Sequence, residues 1–333
     1  YYCLVLGISQ ALFRVNIPTT VAAWFKTRLG LAVGLQQSAG GMGSSILAPS
    51  LAIMFTKLEW QTSFWIIAAV GGVIILSLLW LFHSEPAGRG MKPYGATEDD
   101  PSPTRPPDPE MAKLRSRVFL RHARRTRAFW NLPTIHHLGC VGHAIVIIYI
   151  IPIAVEAGVN VVSAAGILSA LMGVSVLTRF LTPVVADYLG AKRAMATMFV
   201  LQGLPVLMLF WTQELWQFYL FAVIFGIGYG GEGSAFPIIN RQYFGRGPMG
   251  RSFGWQQAGA GTGMAVGGWI GGVLYVISGS YDVTVILSVL ASVAGAALIL
   301  TMPPTAKLLI PNWEDALSPN ISTEPPRPIP AGD

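Results

Sequence analysis

Nine apolar stretches, each about 20 residues or longer, occupy roughly 2–24, 30–55, 62–83, 131–155, 163–187, 193–212, 216–239, 252–277 and 281–302. They leave this chain few folds to adopt. A helix of that length crosses the hydrocarbon of a bilayer. Several of the stretches are rich in glycine and β-branched residues, yet helix is the expected form. Lipid offers an open strand edge no hydrogen-bond partner, whereas a helix satisfies its own backbone. Composition points the same way: 53% hydrophobic and 11% charged residues over 333 positions exceed what one water-soluble core can hide. The fold class read from the chain is an all-α integral membrane protein. Cys3 and Cys140 fall inside apolar stretches, as small packing residues rather than a disulfide.

The stretches are related to one another. Gln36-Gln37 with Gly34, Gly40, Gly41 and Gly43 returns 220 positions later as Gln256-Gln257 with Gly259, Gly261 and Gly263. Gly7, Pro18 and Trp24-Phe25 return as Gly226, Pro237 and Tyr243-Phe244 at a spacing of 219. Repeats that travel the same way through a bilayer mark carriers built of two halves around an axis along the membrane normal. If the second half starts near Arg125, the first would start about 94 residues ahead of Tyr1, leaving room for roughly three more helices. The expectation is therefore a truncated chain showing nine helices of twelve. It divides into a partial N-terminal bundle of three helices (1–83), a Pro-rich and charged cytoplasmic linker (84–128), a six-helix C-terminal bundle (129–302) and a disordered cytoplasmic tail (303–333) with at most a short surface turn around Trp313.

Charge orients the bundle. Of 22 basic residues, 19 fall in one alternating set of loops and the tail, Lys57 stands alone on the other side, and Arg14 and Arg179 lie within stretches. Cytoplasmic loops carry the Lys/Arg excess, which puts the C-terminus inside and the protein in the cell membrane. The net charge of +6 thus has no need of a nucleic-acid partner.

Local sequence then resembles a known family. Arg125-Thr126-Arg127-Ala128-Phe129-Trp130, Pro152 with Gly158, and Arg179 followed by Ala186-Asp187-Tyr188-Leu189-Gly190-Ala191-Lys192-Arg193 are similar to the monocarboxylate and oxalate/formate porter branch of the major facilitator superfamily. Pro183 and Tyr188 depart from that branch's loop motif, where Gly and Arg are usual. The resemblance implies the major facilitator fold, with the visible helices numbered four to twelve. It also implies a substrate-binding Arg179 and a cytoplasmic gate latch made by Asp187 with Lys192 and Arg193.

An ionisable side chain in hydrocarbon is costly enough to be a functional candidate by default. Arg179 and Arg14 are the candidates for binding an anion, because guanidinium presents a planar, permanently charged fork to a carboxylate. The repeat aligns Arg14 with Gly233, beside Glu232, so Glu232 either pairs with Arg14 across a cavity or titrates as a proton-coupling carboxylate. His143, in mid-stretch, is either a satisfied core histidine or a proton or substrate contact. His136 and His137 point to different helix faces, which argues against a metal site, and no zinc-type cluster is visible. Gly263, Gly267 and Gly271 repeat every fourth residue, the signature of close helix packing. Gln36, Gln37, Gln256 and Gln257 suit interhelical hydrogen bonds, and Trp255 a stacking or interface role. Neither GxSxG nor HExxH occurs, so an enzyme is not expected, and no cofactor is implied.

The expected activity is secondary transport of a small organic anion, a mono- or dicarboxylate, by alternating access with proton coupling or exchange. The span from Ser252 to Ile277 lacks the second cation used by the branch's dicarboxylate exchangers, which keeps drug or sugar export open. A non-transporting receptor with the same helices is the remaining alternative. Oligomeric state is not readable from the sequence.

Overall fold

The computed structural model describes residues 2–317, with the backbone alone at 2–4, 6, 44–53 and 55–56. Eleven α-helices follow one another: α1 (Tyr2–Trp24), α2 (Leu29–Lys57), α3 (Trp60–Leu79), α4 (Pro109–Ala123), α5 (Arg127–Glu156), α6 (Val161–Leu189), α7 (Ala191–Gly203), α8 (Leu215–Glu232), α9 (Phe236–Phe244), α10 (Gly250–Ser278) and α11 (Asp282–Thr301). Among the described residues the only extended pairing is an isolated bridge between Phe25 and Tyr94. Among the described residues seven segments are long and apolar enough to cross a membrane: α3, α5, α6, α7 with the 3-10 turn Leu204–Phe210, α8 with α9, α10 and α11. The other two expected stretches form α1 and α2, continuous helices of 23 and 29 residues.

The helix ends are written locally. Thr126 accepts the Phe129 N–H at 3.2 Å to start α5, Asn160 accepts the Ser163 N–H at 2.9 Å to start α6, and Glu214 with Gln217 makes a capping box at α8. Asp108 caps α4 ahead of Pro109, whose missing N–H costs nothing in a first turn. The two copies of the repeat diverge at their shared proline. Pro237 cannot donate to the Gly233 carbonyl, and with Gly230, Gly231 and Gly233 just before it the helix breaks between Glu232 and Phe236. Pro18 is accommodated inside an unbroken α1.

Glycine faces set the helix spacing. A Cβ on Gly263 would run into the His137 carbonyl oxygen and Cys140, one on Gly267 would lie 2.6 Å from the Val141 carbonyl oxygen, and one on Gly271 would meet the Tyr149 ring. These positions form the α10 face that packs on α5. α2 and α6 meet in the same way, where Gly30 and Gly34 lie against the Pro183 and Phe180 carbonyls and the Ser38 hydroxyl donates to the Val176 carbonyl at 3.0 Å. By contrast α3 leaves nearly its whole surface open, as a lipid-facing helix would.

One end of the bundle gathers the α1–α2 turn, the linker, the α6–α7 turn, the α9–α10 turn and the chain after α11. Its core joins Ala22, Leu29 and Val33 of the first half to Phe119, Phe129, Phe199, Phe236, Tyr243 and Trp313. The chain after α11 differs from the disordered tail expected from 303 onward. The Leu309 N–H donates to the Tyr243 carbonyl at 2.8 Å, the Tyr243 hydroxyl donates to the Pro303 carbonyl at 2.6 Å, and Trp313 is buried edge-on against Phe119 with their centroids 5.2 Å apart. Arg115 of α4 pairs with Glu314 and lies over the Trp313 ring. Proline and polar residues hid this segment in the sequence, and the apolar side of α4 holds it in place. Residues 318–333 lie outside the described residues.

Filling the α5–α10 seam should cost about 1–3 kcal/mol of overpacking. Gly263→Val is expected to lower the thermal unfolding midpoint in detergent. Gly261→Ala should not lower it, since nothing lies within 4 Å of a Cβ at that position and alanine favours the helix.

Candidate functional site

Arg179 stands on α6 at partial exposure, its guanidinium over the Tyr229 ring of α8 at 5.0 Å to the centroid. Among the described residues no carboxylate lies within ion-pair distance of it. The Tyr229 ring meets His143 of α5 edge-on at 4.9 Å between centroids. His143 Nδ1 lies 3.7 Å from Glu232 Oε2, and its Nε2 lies 3.2 Å from the Met264 sulfur of α10. A charged, polar line therefore runs Arg179–Tyr229–His143–Glu232 across three helices. Tyr229 was not singled out by sequence; its only signal was its place in the Gly226–Gly233 run.

Glu232 is 2% exposed and closes α8. Its Oε1 finds no hydrogen-bond partner and occupies the space a side chain at Gly139 would fill. Beside it, Gln202 donates to the Gly139 carbonyl at 3.0 Å and to the Ser292 hydroxyl at 3.2 Å. Of the two alternatives for Glu232, the pair with Arg14 does not form. The break after Glu232 turns its carboxylate into the second half against α5, whereas Arg14 stays exposed on α1 with its Nε 3.4 Å from Gln10 Oε1.

The histidines divide as their adjacency requires. His137 reaches the Thr262 hydroxyl at 3.0 Å, while His136 turns inward and stacks on Phe236 at 4.1 Å between centroids. Inside, donor atoms of His136, Cys140 and Glu232 come within 4.8 Å of one another, all buried. The sequence pattern showed no zinc-type cluster, and this grouping is one of geometry. Cys140 follows His136 by one helical turn and Glu232 arrives from another helix, a grouping that no linear spacing pattern encodes.

Arg14 is fixed by a backbone defect. Pro18 has no N–H to give the Arg14 carbonyl four residues earlier, and Gln257 of α10 donates to that carbonyl at 3.0 Å from the opposite half. Gln256 pairs reciprocally with Asn240 at 2.8 and 2.9 Å, both fully buried. The repeated Gln-Gln pair thus satisfies polar groups between helices in its second copy.

At the crowded end Asp187 works differently from the expected latch. The Gly30 N–H donates to Asp187 Oδ2 at 3.1 Å, so Asp187 caps the start of α2, whose own flanking residue Arg28 sits at φ 54° and offers no side-chain cap. Lys192 donates instead to the Met302 carbonyl, and Arg193 is exposed without a carboxylate partner among the described residues. Arg241 closes the complementary contact, donating to the Ala22 and Phe25 carbonyls at the end of α1 at 2.6 and 2.8 Å. Anion at a helix start and cation at a helix end are the favourable senses of the helix dipole. Gln242 bridges the α6–α7 turn, accepting from the Ala191 N–H at 3.0 Å and donating to the Ala186 carbonyl at 3.1 Å.

The linker straps over this closed end. Tyr94 donates to the Trp24 carbonyl at 2.8 Å and accepts from the Lys26 N–H at 2.9 Å. Asp100 pairs with Lys26 of the first half, and Arg246 of the second half lies 3.8 Å from its other oxygen. The Lys26 ammonium and the Ser102 hydroxyl hold the Asp100 carboxyl well below the usual carboxylate range.

The pattern of the Major Facilitator Superfamily matches residues 3–189 and 167–329. The chain is also 30% identical over 120 residues to monocarboxylate transporter 11 of Homo sapiens, a similarity covering 36% of this chain and 23% of that protein's length.

Two outcomes test the closed end. Removing one helix-dipole contact of about 1 kcal/mol should raise its opening roughly fivefold. A Ser38→Cys probe at the α2–α6 seam is then expected to react faster with a maleimide when Asp187→Asn is added. Asp100 has a lowered folded pKa, so its contribution is complete above the ordinary carboxylate value and fades only as pH falls through the lowered one. Limited proteolysis of the 84–108 linker should therefore stay slow from about pH 8 to pH 5, above that ordinary value, and become fast at neutral pH in Asp100→Asn.

Proposed function

We propose a solute-carrying role for this chain, which belongs to the Major Facilitator Superfamily and is a multi-pass membrane protein. The cargo is a small organic anion, a mono- or dicarboxylate, moved by alternating access between the two sides of the membrane, the linker side being taken as cytoplasmic from its basic loops. The observation that carries this reading is Arg179: a guanidinium in the bilayer region, placed over Tyr229 with no carboxylate of the described residues to neutralise it. A substrate carboxylate would complete it through two parallel N–H···O bonds, the fork geometry arginine favours. The aromatic face of Tyr229 holds the guanidinium plane, and Arg14, in the other half, supplies a second positive potential.

Glu232 and His143 provide the coupling element. Their carboxylate and imidazole lie 3.7 Å apart, and Tyr229 touches both Arg179 and His143, so charge arriving at Arg179 is felt at the pair. Protonation of this pair together with anion binding would keep the occupied site near neutral and allow the halves to rock. Exchange of one anion for another requires no such titration. The Asp187–Gly30 and Arg241–α1 contacts serve as the gate that parts when the linker side opens, with Lys192 and Arg193 beside it.

Counterflow in proteoliposomes against labelled carboxylates, sugars and organic cations tests the reading. Carboxylate exchange is expected, and Arg179→Ala should reduce it by about 10- to 100-fold, the loss of a charge-assisted hydrogen-bonded contact. Normal exchange in that variant, or indifference to carboxylates, would refute the assignment. Glu232→Gln should abolish uptake driven by a proton gradient while sparing counterflow; if it spares both, Glu232 is not the coupling group, and if the unmodified chain shows counterflow without proton-driven uptake, the carrier is an exchanger.

A further inference from the structure

The outer side of α4 carries a row of cations that neither the fold nor the proposed transport uses. Lys113, Arg117 and Arg121 recur every fourth residue along the helix, and Arg124 follows at its end. The opposite side of α4 is spent on the core, with Val118, Phe119, Leu120 and Ala123 buried. All four cations are exposed. Lys113 is tied to Glu110 at 2.7 Å, whereas Arg117, Arg121 and Arg124 have no carboxylate partner among the described residues. Arg251, at the start of α10, joins Lys113, Arg117, Ser116, Ala112 and Glu110 around a shallow groove. Seven Lys or Arg fall between positions 113 and 127, directly ahead of the membrane helix α5.

A second observation fixes the depth of this row. Arg124 lies over two tryptophan rings at once, Trp130 of α5 at 5.7 Å and Trp255 of α10 at 5.9 Å. The two rings meet edge-on at 5.9 Å and remain 47% and 44% exposed. Tryptophan left open at the end of a membrane helix belongs at the headgroup level of the bilayer. Each has an arginine about one turn nearer the helix start, Arg127 before Trp130 and Arg251 before Trp255. On both helices, cations therefore stand just outside the aromatic level, where lipid phosphates lie. α4 continues that line along the same surface.

We infer that the Lys113–Arg117–Arg121–Arg124 row with Arg251 is a docking surface for the headgroups of anionic phospholipids in the leaflet that meets the linker. Charge complementarity and the tryptophan pair select this occupant. A basic segment beside a membrane helix gains from anionic lipid for each charge held near the surface, and guanidinium forks match phosphate oxygens in pairs. The buried side of α4 packs on Trp313 and Phe244 and touches the start of α10, so lipid bound here braces the linker against the second half. This assignment rests on membrane insertion, not on the nature of the cargo, and its failure would leave the anion site untouched.

The test uses the full chain purified in a zwitterionic detergent and titrated with phosphatidylglycerol, with phosphatidylcholine, or with inorganic phosphate at constant ionic strength. Bound lipid is read by native mass spectrometry. Phosphatidylglycerol is expected to bind and phosphatidylcholine not to compete. Affinity should fall roughly fivefold for each charge removed, on the order of a hundredfold for Arg117→Gln, Arg121→Gln and Arg251→Gln together. A control variant with Arg89→Gln, Arg105→Gln and Lys307→Gln removes equal charge elsewhere and should keep the affinity. The inference is overturned if the first variant binds normally, if the control loses as much, or if phosphatidylcholine binds as well. Displacement by inorganic phosphate at the lipid's own affinity would also overturn it, revealing a free-anion site instead.

Discussion

Inside a bilayer a polar group must find its partner within the protein, because lipid supplies none. This requirement organises the chain at every level. It makes the apolar stretches helical, and it decides what happens where a proline removes a donor. In α1 the carbonyl freed by Pro18 is answered by Gln257 from the other half, so repairing the backbone also joins the halves. In the second copy, beside glycines, the same proline position ends α8, and the break aims Glu232 into the second half. One sequence feature, copied, becomes a tether in one place and a bend in the other.

Against that background of satisfied groups the exceptions cluster. Asn240 with Gln256, and Gln202 with Gly139 and Ser292, show polar side chains finding partners between helices. His136 Nδ1, His143 Nδ1 and Glu232 Oε1 are buried without hydrogen bonds, and Arg179 stands near them without a carboxylate of its own. Buried polar atoms left unpaired are expensive, and of the five among the described residues four belong to His136, His143, Gln202 and Glu232 while the fifth, Gln36 Oε1, lies on α2. Glycine faces on α2 and α10 bring the helices close, at the expense of tolerating no larger side chain in the seams.

The end bearing most of the basic residues is also the end that is shut. Helix ends contribute to its closure, with Asp187 at the start of α2 and Arg241 at the end of α1. Such contacts are individually modest and depend on alignment. Asp100 adds a strap across both halves from a linker whose prolines alone suggested only a spacer.

Much of this was legible before any coordinates. Apolar run lengths determined an all-helical membrane protein, and glycines at every fourth position marked one face of α10 for close packing, because each follows from local chemistry or from helical periodicity. The cost of an intramembrane charge singled out Arg14, Arg179 and Glu232 as candidates. What only the tertiary structure decided were the partners: His143 rather than Arg14 for Glu232, Gly30 rather than Lys192 or Arg193 for Asp187, Tyr229 under Arg179, and Trp313 drawn into the core. Each pairing joins helices far apart in sequence, and which side chains meet depends on crossing points and helix breaks that no periodicity in a single segment records.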